Sequence, residues 1–284
     1  MKKQNVRVVR MVSGEQKYLV AKPIAVKHRR TMVCIHGMAG FAAYLIPKME
    51  YFAERGYTCF APDIVGHGER NKIDVSGLGV LDYVADVNDF IDHTVRKEND
   101  APLILLGHSM GGLIAAKLAE MRTDVGHAVL VTPAPPNGVL LLPGGMISFT
   151  LDDVRRLIKM MLGGARFVPS RHFLESLFAN PKASKHIIDQ WEARRMSNES
   201  LLVALQLGMS HVAVDAGKIN AHMLVIGAKK DKVVHHRVAK KIQEHYGADY
   251  HLIEDLGHMC PFEAGWEQTA AIIETWLKEK KAHI

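Results

Sequence analysis

The order of sequence patterns predicts an α/β fold built on a parallel sheet. Short β-rich runs alternate with longer helical patterns through most of the 284 residues, as expected of a sheet covered by helices. The run 102–106, PLILL, is apolar throughout, the pattern of a strand buried on both faces. A glycine-flanked turn follows it and leads directly into a helical pattern. With 48% hydrophobic and 23% charged residues, the chain has the composition of a globular protein that can bury a large core.

The first two strands are expected over 6–12 and 18–25, joined by Ser13-Gly14-Glu15-Gln16 as an antiparallel hairpin at the sheet edge. A strand over 31–35 follows, then a helix over 43–55 that stops at Gly56, a residue suited to a helix C-terminus. Strand 58–61 comes next. Helix 81–97 carries Val84, Val87, Ile91 and Val95 on one face and leads to strand 102–106. Residues 111–121 read as helix and 128–132 as strand.

From Pro133 the pattern changes. Pro and Gly punctuation gives way to helical segments at 151–162, 172–179, 183–195 and 201–207, with no strand before 222–226. Alternation then resumes with helix 234–246, strand 250–253 and a final helix over 263–279. The expected organisation is a core in two parts, residues 1–135 and 215–284, interrupted by an all-helical insertion over 136–214.

The formal charge of +6 raises the question of nucleic acid or anionic lipid. Its basic residues are scattered among acidic ones, and the densest clusters, Lys229-Lys230-Asp231-Lys232 and residues 278–281, have no interleaved aromatics to stack on bases. Nucleic-acid binding is therefore not expected. Cys34, Cys59 and Cys260 are too few and too far apart for a disulfide framework, and the first two lie in apolar runs as small core residues. The basic N-terminus lacks a signal-peptide apolar region, and no stretch is long enough to span a bilayer. A reducing, cytoplasmic location is expected; the sequence sets no oligomeric state.

The strongest motif is Gly107-His108-Ser109-Met110-Gly111-Gly112, a GxSxG between an apolar strand and a helix. A sharp strand-to-helix turn strains the serine backbone, and the flanking glycines let neighbouring chain approach without a clashing Cβ. Ser109 would then be exposed beside a helix N-terminus, whose free amides favour developing negative charge. A serine hydroxyl is a weak nucleophile, so a base and an orienting acid are needed downstream. His258 follows strand 250–253 and Asp231 follows strand 222–226. Loops at the carboxyl ends of parallel strands converge on one sheet edge, where the three side chains can meet.

Rival acids fit less well: Glu254 and Asp255 precede His258 too closely, Asp215 lies at the end of the insertion, and residues 133–137 offer no carboxylate. With sixteen histidines in the chain, His258 is singled out by position and not by type. His235 and His236 are adjacent at a helix start and do not share a face, so no metal site is expected there. The turn His36-Gly37-Met38-Ala39-Gly40 follows strand 31–35, where the backbone amide of Met38 would join that of Met110 as the two donors of an oxyanion hole. Asp63-Ile64-Val65-Gly66-His67-Gly68 reads as a structural loop without chemistry.

Taken together, the HGMAG, DIVGHG, GHSMGG, AKKD and GH segments resemble the α/β-hydrolase superfamily, and within it the lidded esterase and lipase branch that includes monoglyceride lipases and lysophospholipases. The resemblance implies a mostly parallel eight-stranded sheet flanked by helices, with a helical cap inserted between strands six and seven. Two departures stand out: Ala39-Gly40-Phe41 replaces the Glu-His-Ser that usually continues the first glycine motif, and Glu69-Arg70 replaces the usual serine after GHG.

The expected activity is hydrolysis of a small-molecule carboxylic ester with an apolar acyl group, through Ser109, His258 and Asp231, with no cofactor or metal. The same residues would serve an amide, thioester, lactone or carbon–carbon bond, and a slow-turnover binding protein of this fold is the alternative from another class. Ser109 argues against the aspartate-dependent dehalogenase and epoxide hydrolase chemistries of this fold. The insertion supplies Leu140, Leu141, Leu142, Met146, Phe149, Met160, Met161, Phe167, Phe173, Leu177, Phe178, Trp191 and Met209 to pack a cap onto the core and line an acyl pocket.

Overall fold

The structure, a computed structural model, describes residues 6–23, 30–98, 100–140, 171–193 and 199–281. The strands are β1 (Val8–Ser13), β2 (Gln16–Ala21), β3 (Arg30–Ile35), β4 (Tyr57–Pro62), β5 (Leu103–His108), β6 (Val125–Val131), β7 (His222–Ala228) and β8 (Asp249–Ile253). They form one eight-stranded sheet in the order β1-β2-β4-β3-β5-β6-β7-β8. The β1–β2 hairpin is antiparallel and joins β4 antiparallel, while the pairings from β4 to β8 are parallel. This is the mostly parallel sheet expected of the chain.

The helices are α1 (Ile46–Ala53), α2 (Val80–Phe90), α3 (Met110–Met121), α4 (Arg171–Ser176), α5 (Lys185–Ala193), α6 (Leu201–Gly208), α7 (His236–Tyr246) and α8 (Glu267–Lys281). Strand alternation splits the core into two layers. Val33, Ile35, Leu103 and Leu105 face one side with Val84 and Val87 of α2, Ile114 of α3 and Ile242 of α7. Met32, Cys34, Ile104 and Leu106 face the other with Met49 and Phe52 of α1 and Ile273 and Leu277 of α8. Every side chain of the central strand β5 is buried, which explains its continuous apolar run.

Several boundaries differ from expectation for local reasons. A short 3-10 turn, Ala42–Leu45, precedes α1, which then starts with Pro47 in its first turn, where a missing amide costs nothing. The helix expected over 81–97 keeps α-geometry only to Phe90 and continues as a π-turn over Ile91–Val95, with Ile91, Thr94 and Val95 still buried. Strand β6 starts at Val125, earlier than the expected 128, across an irregular register beside Leu103. The final helix starts at Glu267 and not at 263, and the Glu263 side chain holds a loop, as described below.

Between β6 and β7 the described residues hold α4, α5 and α6 and no strand. The helix expected over 151–162 lies outside the described residues, as do Leu141, Leu142, Met146, Phe149, Met160, Met161 and Phe167, named above for the cap lining, and as do the side chains of Phe173 and Trp191. Leu177 and Phe178 are buried against the core, as expected of packing residues. Leu140 and Met209 are instead exposed, at 68% and 60%. Among the described residues, no helix is long and apolar enough to cross a membrane.

Candidate active site

Ser109 lies between the end of β5 and the start of α3, with φ 54° and ψ −119°. A non-glycine residue holds such a conformation only where surrounding structure fixes it. Here its amide donates to Val131 O at 3.0 Å, and its carbonyl accepts from Gly112 N at 2.9 Å and Ala134 N at 3.0 Å. The turn has no room for side chains on its glycines. A Cβ on Gly107 would lie 2.1 Å from Gly111 O, and one on Gly111 would lie 2.3 Å from Ile35 O.

Three sequence-distant side chains meet at this turn. The Ser109 Oγ–H points to His258 Nε2 at 3.0 Å, and His258 Nδ1–H donates to Asp231 Oδ2 at 2.9 Å. Because Nδ1 faces a carboxylate, Nδ1 carries the proton and Nε2 presents its lone pair to the serine. The other oxygen of Asp231 accepts from Val233 N at 2.7 Å and Val234 N at 2.9 Å. This buried carboxylate is therefore aimed by its own loop. The rejected acids lie apart: Asp255 is exposed and 3.5 Å from Lys230 Nζ, while Asp215 caps a short turn by accepting from Gly217 N.

Gly37 packs directly against the serine: a Cβ added there would be 3.1 Å from Ser109 Cβ. The turn carrying Met38 thus borders the hydroxyl, and Met110 occupies the first position of α3, where an amide has no intrahelical acceptor. Among the described residues, neither the Met38 nor the Met110 amide has a protein acceptor. Both are free to donate to an anionic oxygen.

Further residues, unassigned from sequence, hold these groups in place. The His258 carbonyl accepts from His108 Nε2 at 2.9 Å and from Thr132 Oγ1 at 3.2 Å. Burial keeps the His108 pKa well below its ordinary value, so the ring is neutral, and its other nitrogen faces the Tyr44 hydroxyl at 3.5 Å. That hydroxyl accepts from Gly37 N at 2.5 Å, which links the His258 backbone to the turn of Met38. Glu263, expected to begin a helix, instead accepts from Gly257 N at 2.5 Å and Ala179 N at 2.8 Å. It clamps the loop before His258 to the segment following α4. Burial pushes its pKa up.

The DIVGHG loop has a structural carboxylate in Asp63, which accepts from Ala42 N at 2.7 Å and Glu69 N at 3.0 Å. Its pKa is raised to about 6, chiefly by burial. His36 Nε2 accepts from Ile64 N at 3.1 Å, and burial lowers its pKa to about 3. His235 Nδ1 accepts from Arg237 N at the start of α7. Among the described residues, no group of three or more His, Cys, Asp or Glu is arranged to hold a metal ion.

A mostly parallel eight-stranded sheet, with a serine at the sharp turn after its central strand, defines an α/β hydrolase. The chain belongs to the family described as serine aminopeptidase, S33, which matches residues 26–265. A monoglyceride lipase of Mus musculus is 33% identical over 104 residues, 34% of this chain and 34% of that protein. A thermostable monoacylglycerol lipase of Bacillus sp. (strain H-257) is 28% identical over 126 residues, 43% of this chain and 49% of that protein. The matches thus span about a third and about half of the length of these relatives. Among solved structures, a hydrolase from Pseudomonas aeruginosa superposes with a TM-score of 0.71 at 13% identity, covering 95% of this chain and 98% of that one. An esterase from Exiguobacterium antarcticum gives 0.68 at 19% identity, covering 93% and 96%.

Proposed function

We propose that the protein cleaves carboxylic esters through an acyl-enzyme on Ser109, with His258 as general base and Asp231 as its orienting acid. The observation that carries this reading is the hydrogen-bonded line from Ser109 Oγ through His258 to Asp231, at 3.0 and 2.9 Å. As Oγ attacks the ester carbonyl carbon, its proton passes to His258 Nε2. Asp231 stabilises the imidazolium, and the Met38 and Met110 amides donate to the oxyanion. Collapse expels the alcohol, which takes the proton from Nε2 and leaves the acyl group on Ser109. Water then repeats the sequence and releases the acid. Every proton moved passes between Ser109, His258, the substrate and the attacking water.

Residues 136–214 form the cap in this reading, with the core divided into 1–135 and 215–284. An apolar acyl-binding pocket lies beneath it. The monoglyceride and monoacylglycerol lipases among the relatives support an ester. The family's description as aminopeptidases gives the amide reading its one specific support. A panel of p-nitrophenyl esters, aminoacyl p-nitroanilides and lactones separates the two. Turnover of esters, reduced at least about 10⁴-fold in a folded Ser109→Ala protein, is the expected result. Anilide turnover exceeding ester turnover would move the assignment to amides.

A further inference from the structure

One carboxylate outside the serine, histidine and aspartate is as buried as they are and has four donors of its own. The Glu199 side chain, just before α6, is 1% exposed. Its Oε2 accepts from Ala39 N at 2.8 Å and from His67 Nε2 at 3.2 Å. Its Oε1 accepts from the Tyr83 hydroxyl at 3.0 Å and from Ser200 N at 2.9 Å. His67 Nδ1 meets Val65 O at 2.9 Å. Both ring nitrogens therefore face acceptors, an arrangement that only the doubly protonated ring satisfies at once. Burial by itself would lower the His67 pKa, but the charge and hydrogen bond of Glu199 outweigh it and the pKa is raised.

The contact to Ala39 falls inside the turn that carries Met38. Ala39 adopts φ 51°, a left-handed conformation that a residue with a Cβ resists. The turn closes through Gly40 N to Gly37 O at 3.0 Å. On one side of Met38, the Gly37 amide is held by Tyr44. On the other, the Ala39 amide is held by Glu199. The Met38 peptide is bracketed by two pinned neighbours, and one pin comes from the segment between β6 and β7.

We propose that Glu199 is a positioning residue: through the Ala39 amide, its buried carboxylate fixes the turn 37–40 so that the Met38 amide points at the reacting carbonyl oxygen. This rests on the reading of Met38 as an oxyanion donor. A bond that orders the oxyanion turn acts where charge develops, so its loss falls on the chemical step and not on ground-state binding. The contact also explains how a segment remote in sequence bears on catalysis without touching the reacting atoms.

The test compares the parent protein with Glu199→Met, which keeps the side-chain length but has no carboxylate acceptor. Two readouts are taken: p-nitrophenyl butyrate kinetics, and affinity for an alkyl trifluoromethyl ketone, which adds the serine oxygen and develops the same oxyanion. The expected result is a fall in kcat of about 10- to 100-fold with KM within about threefold, and an equal fall in ketone affinity. Gln206→Ala is the control. Gln206 ties α6 to the core by accepting from Val80 N at 2.8 Å but does not touch Glu199, so both readouts should stay within about twofold while stability falls.

Should Glu199→Met not fold, the Ala39 amide is replaced by an ester, with L-lactic acid at position 39, and the same two readouts decide. A folded variant with kcat and ketone affinity within about twofold of the parent overturns the proposal. Equal losses in Gln206→Ala also overturn it, since they would mark a general effect of loosening the segment. If the parent itself neither hydrolyses the ester nor binds the ketone, the ester-hydrolase reading fails, and this proposal with it.

Discussion

The turn from β5 into α3 and the segment between β6 and β7 hold the site by different means. At the turn, backbone holds backbone: the Ser109 amide and carbonyl bond to Val131, Gly112 and Ala134, and the glycines leave no room for a further atom. Among the described residues, the segment reaches the core mostly through side chains, beside a backbone bond from Met259 N to Leu177 O at 3.4 Å. Glu199 takes the Ala39 amide, Ser200 Oγ donates to Leu78 O at 2.6 Å, and Gln206 takes the Val80 amide. The first region should therefore be sensitive to added volume, and the second to the identity of a few polar groups.

The acid offers the largest contrast on the core side. Asp231→Asn should lower kcat/KM for ester hydrolysis by about 10⁴-fold, because an amide presents the wrong partner to His258 Nδ1–H. Asp255→Asn, at an exposed position, should leave it within about twofold. Steady-state kinetics on both variants check this, and the opposite pattern would transfer the acid role to Asp255.

Volume separates the two regions next. Gly111→Ala drives a Cβ into Ile35 O and should cost about 3 kcal/mol or more in urea unfolding. Gly208→Ala, in α6, meets nothing within 4 Å and should stabilise by up to about 1 kcal/mol through helix propensity. If the two substitutions had similar effects, the division between a tight backbone frame and a more open helical segment would not hold.

The same division explains how far the sequence could be read. Ser109, His258 and Asp231 were legible because each lies beyond the carboxyl end of a strand, and parallel strands deliver those ends to one edge. Glu199 carries no local signal, since its partners at 39, 67 and 83 lie 160, 132 and 116 positions away. An acidic residue before a helical pattern resembles a helix start, which is why Glu263 suggested a helix when it serves a loop instead. The DIVGHG loop read as structural, and Asp63 fits that, but its His67 also completes the Glu199 pair. Hydrophobicity alone did not distinguish Leu177 and Phe178, which are buried, from Leu140 and Met209, which are exposed. That difference depends on which neighbours pack alongside.

Lys48 provides a smaller, pH-dependent test of side-chain tethering within the core. It is a buried residue of α1, with Nζ 3.4 Å from Trp266 O and 4.8 Å from the Trp266 ring centre, and burial lowers its pKa to about 7. Between about 7 and the unfolded value of about 10.4, the unfolded chain binds a proton that the folded chain does not. Stability therefore rises with pH across that window, by up to about 1.4 kcal/mol per pH unit, and the contribution is lost as pH falls through 7. Lys48→Met should flatten this slope in urea unfolding at pH 7, 8 and 9 relative to the parent. An unchanged difference at all three would show that Lys48 remains protonated throughout.

The smallest effect concerns the proposed cap. Lengthening the acyl chain of p-nitrophenyl esters from acetate should raise kcat/KM by up to about 0.8 kcal/mol per methylene, roughly fourfold, until the proposed acyl pocket is filled. Replacing 136–214 by a short linker should abolish the trend in a folded protein. A flat series in the intact protein would remove the segment from substrate selection.

The central claim, that Ser109 is a nucleophile activated by His258, is tested most directly by a fluorophosphonate titration read by intact mass and peptide mapping. One equivalent should attach to Ser109, with matching loss of esterase activity, and His258→Ala should slow the labelling by orders of magnitude while remaining folded. Ester hydrolysis that persists in the fully labelled protein, or labelling at a residue other than Ser109, would contradict it.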